Sequence, residues 1–213
     1  MLIRHPDSAR GNDLYETPEV ATLSLLAHEP LPPTILEPAC GRGAISKVLR
    51  RAGHTVLEND IVDYGQGQDS VQDFLNFEPV QTGRIDAVVT NPPYRLAQQF
   101  VRHALTLCPH VFMLLRLTFY ESERRTDVLE RAGLTRVHVF RNRLPMMHRD
   151  GWTGNRVSNP TAFAWFVWER GYTGKPEIDR ISWQRSKPSP IPPGLSHTPE
   201  LQARLRKAAR GRP

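Results

Sequence analysis

Short apolar segments alternate with amphipathic segments along most of the 213-residue chain. The apolar segments have the length of buried strands, and the amphipathic ones repeat their apolar positions with the helical period. The predicted strands are 34–36, 55–57, 85–90, 111–117, 136–140 and 161–168, and the predicted helices are 17–28, 45–52, 96–107 and 122–132. This alternation predicts an α/β fold whose mostly parallel sheet is covered by helices on both faces.

The two ends of this pattern carry more specific expectations. Thr17 is predicted as the N-cap of the first helix, with Pro18 at the first helical position. The last two strands have no helix between them, because residues 141–160 contain two prolines and two glycines. We therefore expect these strands to form an antiparallel pair at the sheet edge, joined by a long loop. Long structureless loops inside compact domains are usually functional.

Charge divides the chain into a body and a tail. Residues 1–170 contain 19 basic and 19 acidic residues, whereas residues 171–213 contain nine basic and three acidic residues. The tail therefore carries the whole net charge of +6, and it also holds seven of the 19 prolines. We predict a folded domain over 1–170 and a basic, proline-rich, partly disordered tail over 171–213. Whether the tail is a nucleic-acid arm or a solvated end stays open.

Several classes of protein do not fit the sequence. No apolar stretch is long enough to span a membrane, and the N-terminus lacks the apolar core of a signal peptide, so a cytoplasmic protein is expected. The two cysteines, Cys40 and Cys108, exclude a disulfide scaffold and a cysteine-based zinc site. No metal site is predicted, because the eight histidines are scattered. Cys40 is interpreted as a small buried side chain rather than a nucleophile.

The segment EPACGRGAI connects the first strand to the second helix. Gly41 and Gly43 allow a ligand to approach the backbone closely. Asp60 ends the next strand 19 residues after Gly41, near the offset at which an acidic side chain binds a ribose. Ser46 stands where a dinucleotide motif has its third glycine, and the Glu37 carboxylate repels phosphate but attracts an ammonium or sulfonium. The motif therefore argues against a pyrophosphate cofactor, and an ordinary glycine turn remains the alternative.

The tetrapeptide Asn91-Pro92-Pro93-Tyr94 follows the third predicted strand. Proline has no N–H, so this turn presents carbonyl oxygens rather than donors. The Asn91 side-chain oxygen and the Pro92 carbonyl are suited to accept hydrogen bonds from a planar amino group, and Tyr94 is suited to stack on the ring that carries it. The alternative is an ordinary proline turn.

Together, the two motifs resemble those of the S-adenosylmethionine-dependent adenine-N6 DNA methyltransferases, where a glycine loop binds the cofactor and N-P-P-Y binds the target base. The resemblance covers about residues 14–170. It implies a class I, Rossmann-like fold: a mostly parallel seven-stranded sheet with an antiparallel edge strand and helices on both faces. It also implies S-adenosylmethionine as the cofactor and double-stranded DNA as the partner.

Carried over residue by residue, the resemblance assigns the glycine loop to the methionine end of the cofactor and Asp60 to its ribose. The acidic-aromatic pair in the QDFL segment is assigned to the adenine, and the upstream YETP segment is expected over the cofactor. The complete set of predicted cofactor residues is Tyr15, Thr17, Pro18, Glu37, Ala39, Cys40, Gly41, Gly43, Asp60, Ile61, Asp73, Phe74 and Asn91.

Substrate contacts are predicted from two further regions. The strand around Arg116 resembles the strand beside the target pocket, and the loop 141–160 supplies arginines for phosphates. Met146, Met147 and Trp152 are expected to wedge or stack there, or alternatively to pack over the sheet edge. The predicted catalytic residues are Asn91, Pro92, Pro93 and Tyr94, and the predicted substrate-binding residues are Tyr94, Arg116, Arg143, Arg149, Trp152 and Arg156.

The reaction implied by the resemblance is methyl transfer to N6 of adenine in DNA. It needs alignment of nitrogen, methyl and sulfur rather than a strong base, and a base inside a duplex must be flipped out to react. The same chemistry on RNA, on cytosine N4 or on a protein glutamine is an alternative, although Asn before Pro-Pro favours adenine. A catalytically inactive nucleic-acid-binding relative is the alternative of another class.

Overall fold

The computed structural model describes residues 16–78, 84–146 and 161–184. The predictions for Tyr15, Met147, Arg149, Trp152 and Arg156 therefore lie outside the described residues. The helices are α1 (Glu19–His28), α2 (Ala44–Arg51) and α3 (Ala97–Leu107). The strands are β1 (Thr34–Glu37), β2 (Thr55–Asp60), β3 (Ser70–Val71), β4 (Ala87–Thr90), β5 (His110–Arg116), β6 (Leu134–Phe140), β7 (Phe163–Glu169) and β8 (Glu177–Ile181).

The strands form one sheet in the order β3-β2-β1-β4-β5-β7-β6-β8. The five strands from β3 to β5 are parallel, β7 runs antiparallel to both β5 and β6, and β8 is parallel to β6. The predicted mostly parallel α/β sheet is confirmed, and so is the antiparallel pairing of the last two predicted strands. The antiparallel strand is not at the edge, however, because β6 and β8 lie outside β7.

The eighth strand was missed because its sequence, EIDRI, carries little apolar signal. Only Ile181 of β8 is buried, as is usual for a charged edge strand. The strand extends the folded unit past the boundary predicted after residue 170, and the first compact unit ends at Trp183. Residues 171–184 contain equal numbers of basic and acidic residues, so the net charge of +6 belongs to residues 185–213, outside the described ranges.

Two hydrophobic clusters cover the two faces of the sheet. One joins α1 and α2 to the sheet, and the other joins α3 and the segment after β5 to the opposite face. Trp165 and Trp168 of β7 are fully buried on opposite faces, and each indole N–H donates to a backbone carbonyl, of Ala21 at 2.9 Å and of Val128 at 2.7 Å. Each tryptophan thus attaches one covering layer to β7, because a buried indole N–H requires an acceptor.

Two of the predicted helices differ in detail from those in the structure. Pro18, not Thr17, occupies the N-cap of α1, and no side chain caps this helix. The segment predicted as a helix over 122–132 forms a 3-10 turn (Glu123–Arg125) followed by a π-helical turn (Asp127–Arg131). The Val128 carbonyl in this segment accepts the hydrogen bond from the Trp168 indole N–H.

A charged network around buried Glu29 and His138 connects the end of α1 to three strands. Glu29, after α1, accepts hydrogen bonds from His138 at 2.6 Å and from Arg136 at 2.5 and 3.0 Å, while Arg136 also contacts Glu169 and His138 also contacts Asp179. Burial disfavours the charged form of His138, but its hydrogen bonds and charge interactions with Glu29 and Asp179 outweigh burial, so its pKa is raised. Burial likewise opposes the Glu29 charge, yet its partners lower the pKa of Glu29.

We predict that His138→Gln lowers the free energy of unfolding by about 1–3 kcal/mol, with the larger loss at about pH 6 and the smaller at about pH 9. Because the folded pKa of His138 is raised, its charge stabilises the fold below the unfolded pKa and ceases to do so as pH rises through the folded pKa. Urea denaturation at each pH measures the difference. His110→Gln, outside this network, is the control, and a pH-independent loss in His138→Gln would contradict the prediction.

Candidate functional site

The predicted site residues meet at one edge of the sheet. β1 pairs in parallel with β2 and with β4, so the ends of these three strands, at Glu37, Asp60 and Thr90, lie side by side. The carboxyl ends of parallel strands are where α/β sheets place their ligand crevices. β6 runs in the same direction as β5, so Arg141 and Arg143 follow this edge too.

The loop between β1 and α2 is fastened to the end of β2. The Asp60 carboxylate accepts hydrogen bonds from the Gly41 N–H at 2.8 Å and from the Val62 N–H at 3.0 Å. Gly41 and Gly43 have φ values of 53° and 71°, in the region that favours glycine. Gln66, which sequence reasoning missed, donates to the Gly41 carbonyl at 2.7 Å. No motif pointed to Gln66, because it lies in an irregular loop far from the glycines in sequence.

Glu37 joins the end of β1 to the start of α2. Its side chain is only 1% exposed, and it accepts hydrogen bonds from the Ser46 N–H at 2.8 Å and from the Ser46 hydroxyl. Burial, together with the nearby charges of Glu58 and Asp60, raises the pKa of Glu37 well above its usual range despite the bonds from Ser46. A protein carboxylate therefore already occupies an N–H of the first helical turn, where a phosphate would otherwise bind.

The thiol beside this loop is not activated. Cys40 is buried, and burial together with the charge of Glu37 raises its pKa to about 12. A thiol that stays protonated is a poor nucleophile. This agrees with the interpretation of Cys40 as a small buried side chain.

Asn91 contacts the upstream segment at long range in sequence. The Asn91 side-chain amide donates to the Thr17 hydroxyl at 3.0 Å, which connects the end of β4 to the start of α1. Thr17, 6% exposed, thus contacts Asn91 instead of capping the helix. The bond uses the amide nitrogen, so this nitrogen is turned toward Thr17.

Tyr94 contacts two residues that belong to other strands. Its half-buried ring lies 6.1 Å from the Phe163 ring, between centroids, and the guanidinium carbon of Arg116 lies 4.3 Å from the Tyr94 ring centroid. Phe163 begins β7 and Arg116 ends β5, and the two are paired in the sheet. Sequence reasoning missed Phe163, because only the strand order brings it to Tyr94.

Asp73 and Phe74, the two residues predicted to bind the adenine of the cofactor, differ from each other in exposure. Asp73 caps a 3-10 turn, accepting from the Leu75 N–H at 3.0 Å. Phe74 is 2% exposed and packs against Phe100 and His103, so its ring belongs to the core. Ile61, directly after Asp60, is 66% exposed and offers the apolar surface that Phe74 lacks.

Met146 is the last described residue before the predicted substrate loop, and it is buried beside Leu144. The expectation that Met146 wedges into a nucleic acid is therefore wrong, and the alternative of packing over the sheet holds for it. Arg143 is exposed. Within residues 16–78, 84–146 and 161–184, no cluster of His, Cys, Asp or Glu is arranged to hold a metal, and no helix is long and apolar enough to cross a membrane.

No protein-family model matches the sequence, and neither does any curated protein. Solved structures do match. A candidate RNA methyltransferase from Pyrococcus horikoshii has a TM-score of 0.54 and 14% identity, over 73% of this chain and 86% of that one. A candidate class I S-adenosylmethionine-dependent methyltransferase from Listeria monocytogenes has a TM-score of 0.52 and 12% identity, and the match covers 90% of this chain and 68% of that one.

A modification subunit of a candidate type I restriction enzyme from Vibrio vulnificus has a TM-score of 0.50 and 13% identity, and the match covers 97% of this chain but only 55% of the subunit. The chain thus spans about half the length of that subunit. The chain has the class I methyltransferase fold. In this class I sheet, the glycine loop follows β1 and Asn91 follows β4, with the acidic end of β2 beside the loop.

Two glycines with the same backbone conformation test the packing around this loop. Gly43 and Gly65 have φ values of 71° and 72°, but a Cβ at Gly43 would lie 3.0 Å from the Glu58 carboxylate, whereas a Cβ at Gly65 would meet nothing. We predict that Gly65→Ala lowers the free energy of unfolding by about 1 kcal/mol and Gly43→Ala by about 2–3 kcal/mol. Chemical denaturation measures both, and equal losses would show that the contact with Glu58 is unimportant.

Proposed function

We propose that the chain is an S-adenosylmethionine-dependent methyltransferase that acts on the exocyclic N6 of adenine in DNA. The observation that carries the proposal is the hydrogen bond from the Asn91 amide nitrogen to Thr17, at the same sheet edge as the glycine loop and Asp60. It turns the amide nitrogen toward Thr17, and in our proposal the amide oxygen accepts a hydrogen bond from the substrate amino group. The resemblance of the Asn91-to-Tyr94 turn to the adenine-N6 enzymes gives the substrate atom.

The residues around the glycine loop fit this cofactor. Glu37, Glu58 and Asp60 interact electrostatically around the loop, which favours a cationic ligand such as a sulfonium with an ammonium group. Asp60 ends the strand where an acidic side chain binds a ribose, and exposed Ile61 follows it as an apolar contact for an adenine ring. The engaged N–H of Ser46 makes a pyrophosphate cofactor a poor fit.

The bound cofactor would supply an activated methyl group on sulfur. The task of the chain is then to hold the acceptor nitrogen in line with that methyl group. Asn91 and the Pro92 carbonyl accept hydrogen bonds from the amino group, which orients its lone pair and stabilises the positive charge that develops on nitrogen. Tyr94 holds the plane of the base by stacking. No strong base is needed at this site.

Exposed arginines on the substrate side support a nucleic-acid substrate. Arg116 ends β5, Arg141 and Arg143 follow β6 at the same edge, and all three are exposed. Arginine side chains bind phosphates well, through bidentate hydrogen bonds. The carboxylates lie at the ends of β1 and β2, on the other side of β4 from these arginines. The edge is therefore polarised, which suits a cationic cofactor on one side and a polyanion on the other.

The proposal predicts label in N6-methyladenine when the full chain is incubated with radiolabelled S-adenosylmethionine and unmethylated DNA. Mass spectrometry of the nucleosides identifies the product, with RNA and protein extract as parallel substrates. Asn91→Ala is expected to lower the rate at least about 100-fold, because it removes a positioned acceptor of the transition state. Thr17→Val is expected to lower the rate about tenfold, while Thr17→Ser retains it.

Gln99→Ala, which removes an exposed amide from α3, is the control and is expected to keep the wild-type rate. Label confined to RNA would move the proposal to an RNA substrate, and label confined to protein would overturn the nucleic-acid substrate. Full activity in Asn91→Ala would overturn the proposed role of the turn.

Cofactor binding gives an independent, pH-dependent prediction. Because the pKa of Glu37 is raised, deprotonation with rising pH adds a negative charge near the proposed sulfonium. We expect the affinity for S-adenosylmethionine to rise about three- to tenfold as Glu37 loses its proton, at a pH above the usual range of a glutamate, as measured by calorimetry. Glu37→Gln is expected to remove this rise, and Glu130→Gln, an exposed carboxylate, to retain it. The same slope in Glu37→Gln and wild type would contradict the prediction.

A further inference from the structure

One face of the Tyr94 ring, which the proposed function uses as the platform for a base, is already covered. The guanidinium of Arg116 lies over the ring, with its central carbon 4.3 Å from the ring centroid. Phe163 packs against the same half-buried ring, with the centroids 6.1 Å apart. A planar base cannot stack where the guanidinium lies without moving it.

The arrangement follows from the sheet. Arg116 is the last residue of β5, and β5 pairs with β4 on one side and with β7 on the other. The turn that carries Tyr94 follows β4, so the two strand ends bring the guanidinium and the ring together. Arg116 is exposed, and within the described parts of the chain it forms no ion pair with a carboxylate. Among the described residues, therefore, no carboxylate pairs with this side chain in place of the ring.

A guanidinium and a nucleotide base bind the face of an aromatic ring with different strength. An exposed cation–π contact changes an equilibrium by about two- to fivefold. Stacking of a base on an aromatic side chain is worth about five- to 150-fold. A base can therefore displace the guanidinium, and the displaced cation becomes available to a phosphate of the same strand.

We propose that Arg116 occupies the base-stacking face of Tyr94 until a nucleotide base displaces it, and that the displaced guanidinium then binds a backbone phosphate of the substrate strand. Arg116 is a specificity-determining residue in this scheme, because it opposes a base that brings no phosphate and favours one within a strand. The inference rests on the proposed function, since it takes Tyr94 as the platform for the base.

The proposal predicts that Arg116→Ala changes the affinity for two ligands in opposite directions. Adenosine has the base but no phosphate, so Arg116→Ala should bind it about two- to fivefold more tightly than wild type, by removal of the competing occupant. A single-stranded oligonucleotide that contains adenine should bind Arg116→Ala about threefold more weakly at low salt. The slope of log K against log salt should fall by about 1, because one phosphate contact is lost.

Arg116→Lys separates charge from stacking. Lysine keeps the positive charge but lacks the planar guanidinium, so this variant should keep the salt slope while binding adenosine more tightly than wild type. Arg84→Ala is the matched control, because Arg84 is exposed and precedes β4 at the opposite end of the strand. It should bind both ligands as wild type does.

The experiment is calorimetric titration of the full chain with adenosine and with the oligonucleotide, in the presence of S-adenosylhomocysteine. In parallel, the Nε–H resonance of Arg116, identified by its loss in Arg116→Lys, is followed by NMR and should shift when adenosine is added. The inference would be overturned if Arg116→Ala bound adenosine with the same affinity as wild type or more weakly. It would also be overturned if neither protein bound adenosine. Methyl transfer from labelled S-adenosylmethionine to DNA by the wild-type protein tests the proposed function separately. If wild type methylates DNA but these binding results fail, only the inference about Arg116 is overturned.

Discussion

The parallel pairing of β1 with both β2 and β4 is the constraint on which the candidate site depends. It brings the ends of three strands to one edge, where each strand continues into a segment that carries polar groups. Two hydrogen-bonded carboxylates then fix these segments: Glu37 holds the start of α2, and Asp60 holds the glycine loop. Both carboxylates are buried and bonded to the backbone, and these bonds hold the loop and the start of α2 in place.

Charge is arranged along this edge rather than over the whole molecule. The carboxylates lie at the ends of β1 and β2, and the exposed arginines follow β5 and β6. The net charge of the chain gave no hint of this arrangement, because its excess of basic residues lies in 185–213. The field around a site is determined by the positions of the charges near it, because interactions between exposed charges are screened beyond about 8–10 Å. The local polarity is therefore more informative about ligands than the total of +6.

Much of the fold was predictable because its signals are local. Buried strands of a parallel sheet are continuous apolar runs, and β1, β2, β4 and β5 were each recognised in this way. The errors fall where tertiary contacts replaced local preference. β8, which pairs with β6, consists mostly of charged residues, and only its Ile181 is buried. Its sequence therefore lacks the apolar pattern that predicts a strand. The segment over 122–132 lost its regular helical form where Trp168 bonds the Val128 carbonyl.

The sequence by itself determined the backbone features of the candidate site: a glycine turn after β1, an acidic end to β2 and a proline turn after β4. These depend on residues that are neighbours in the chain, and glycine and proline restrict the backbone wherever they stand. Only the tertiary structure decided that Thr17 meets Asn91, that Arg116 covers Tyr94 and that Phe74 turns into the core. Such contacts depend on strand order and side-chain packing between distant segments, and no local pattern of residues encodes them.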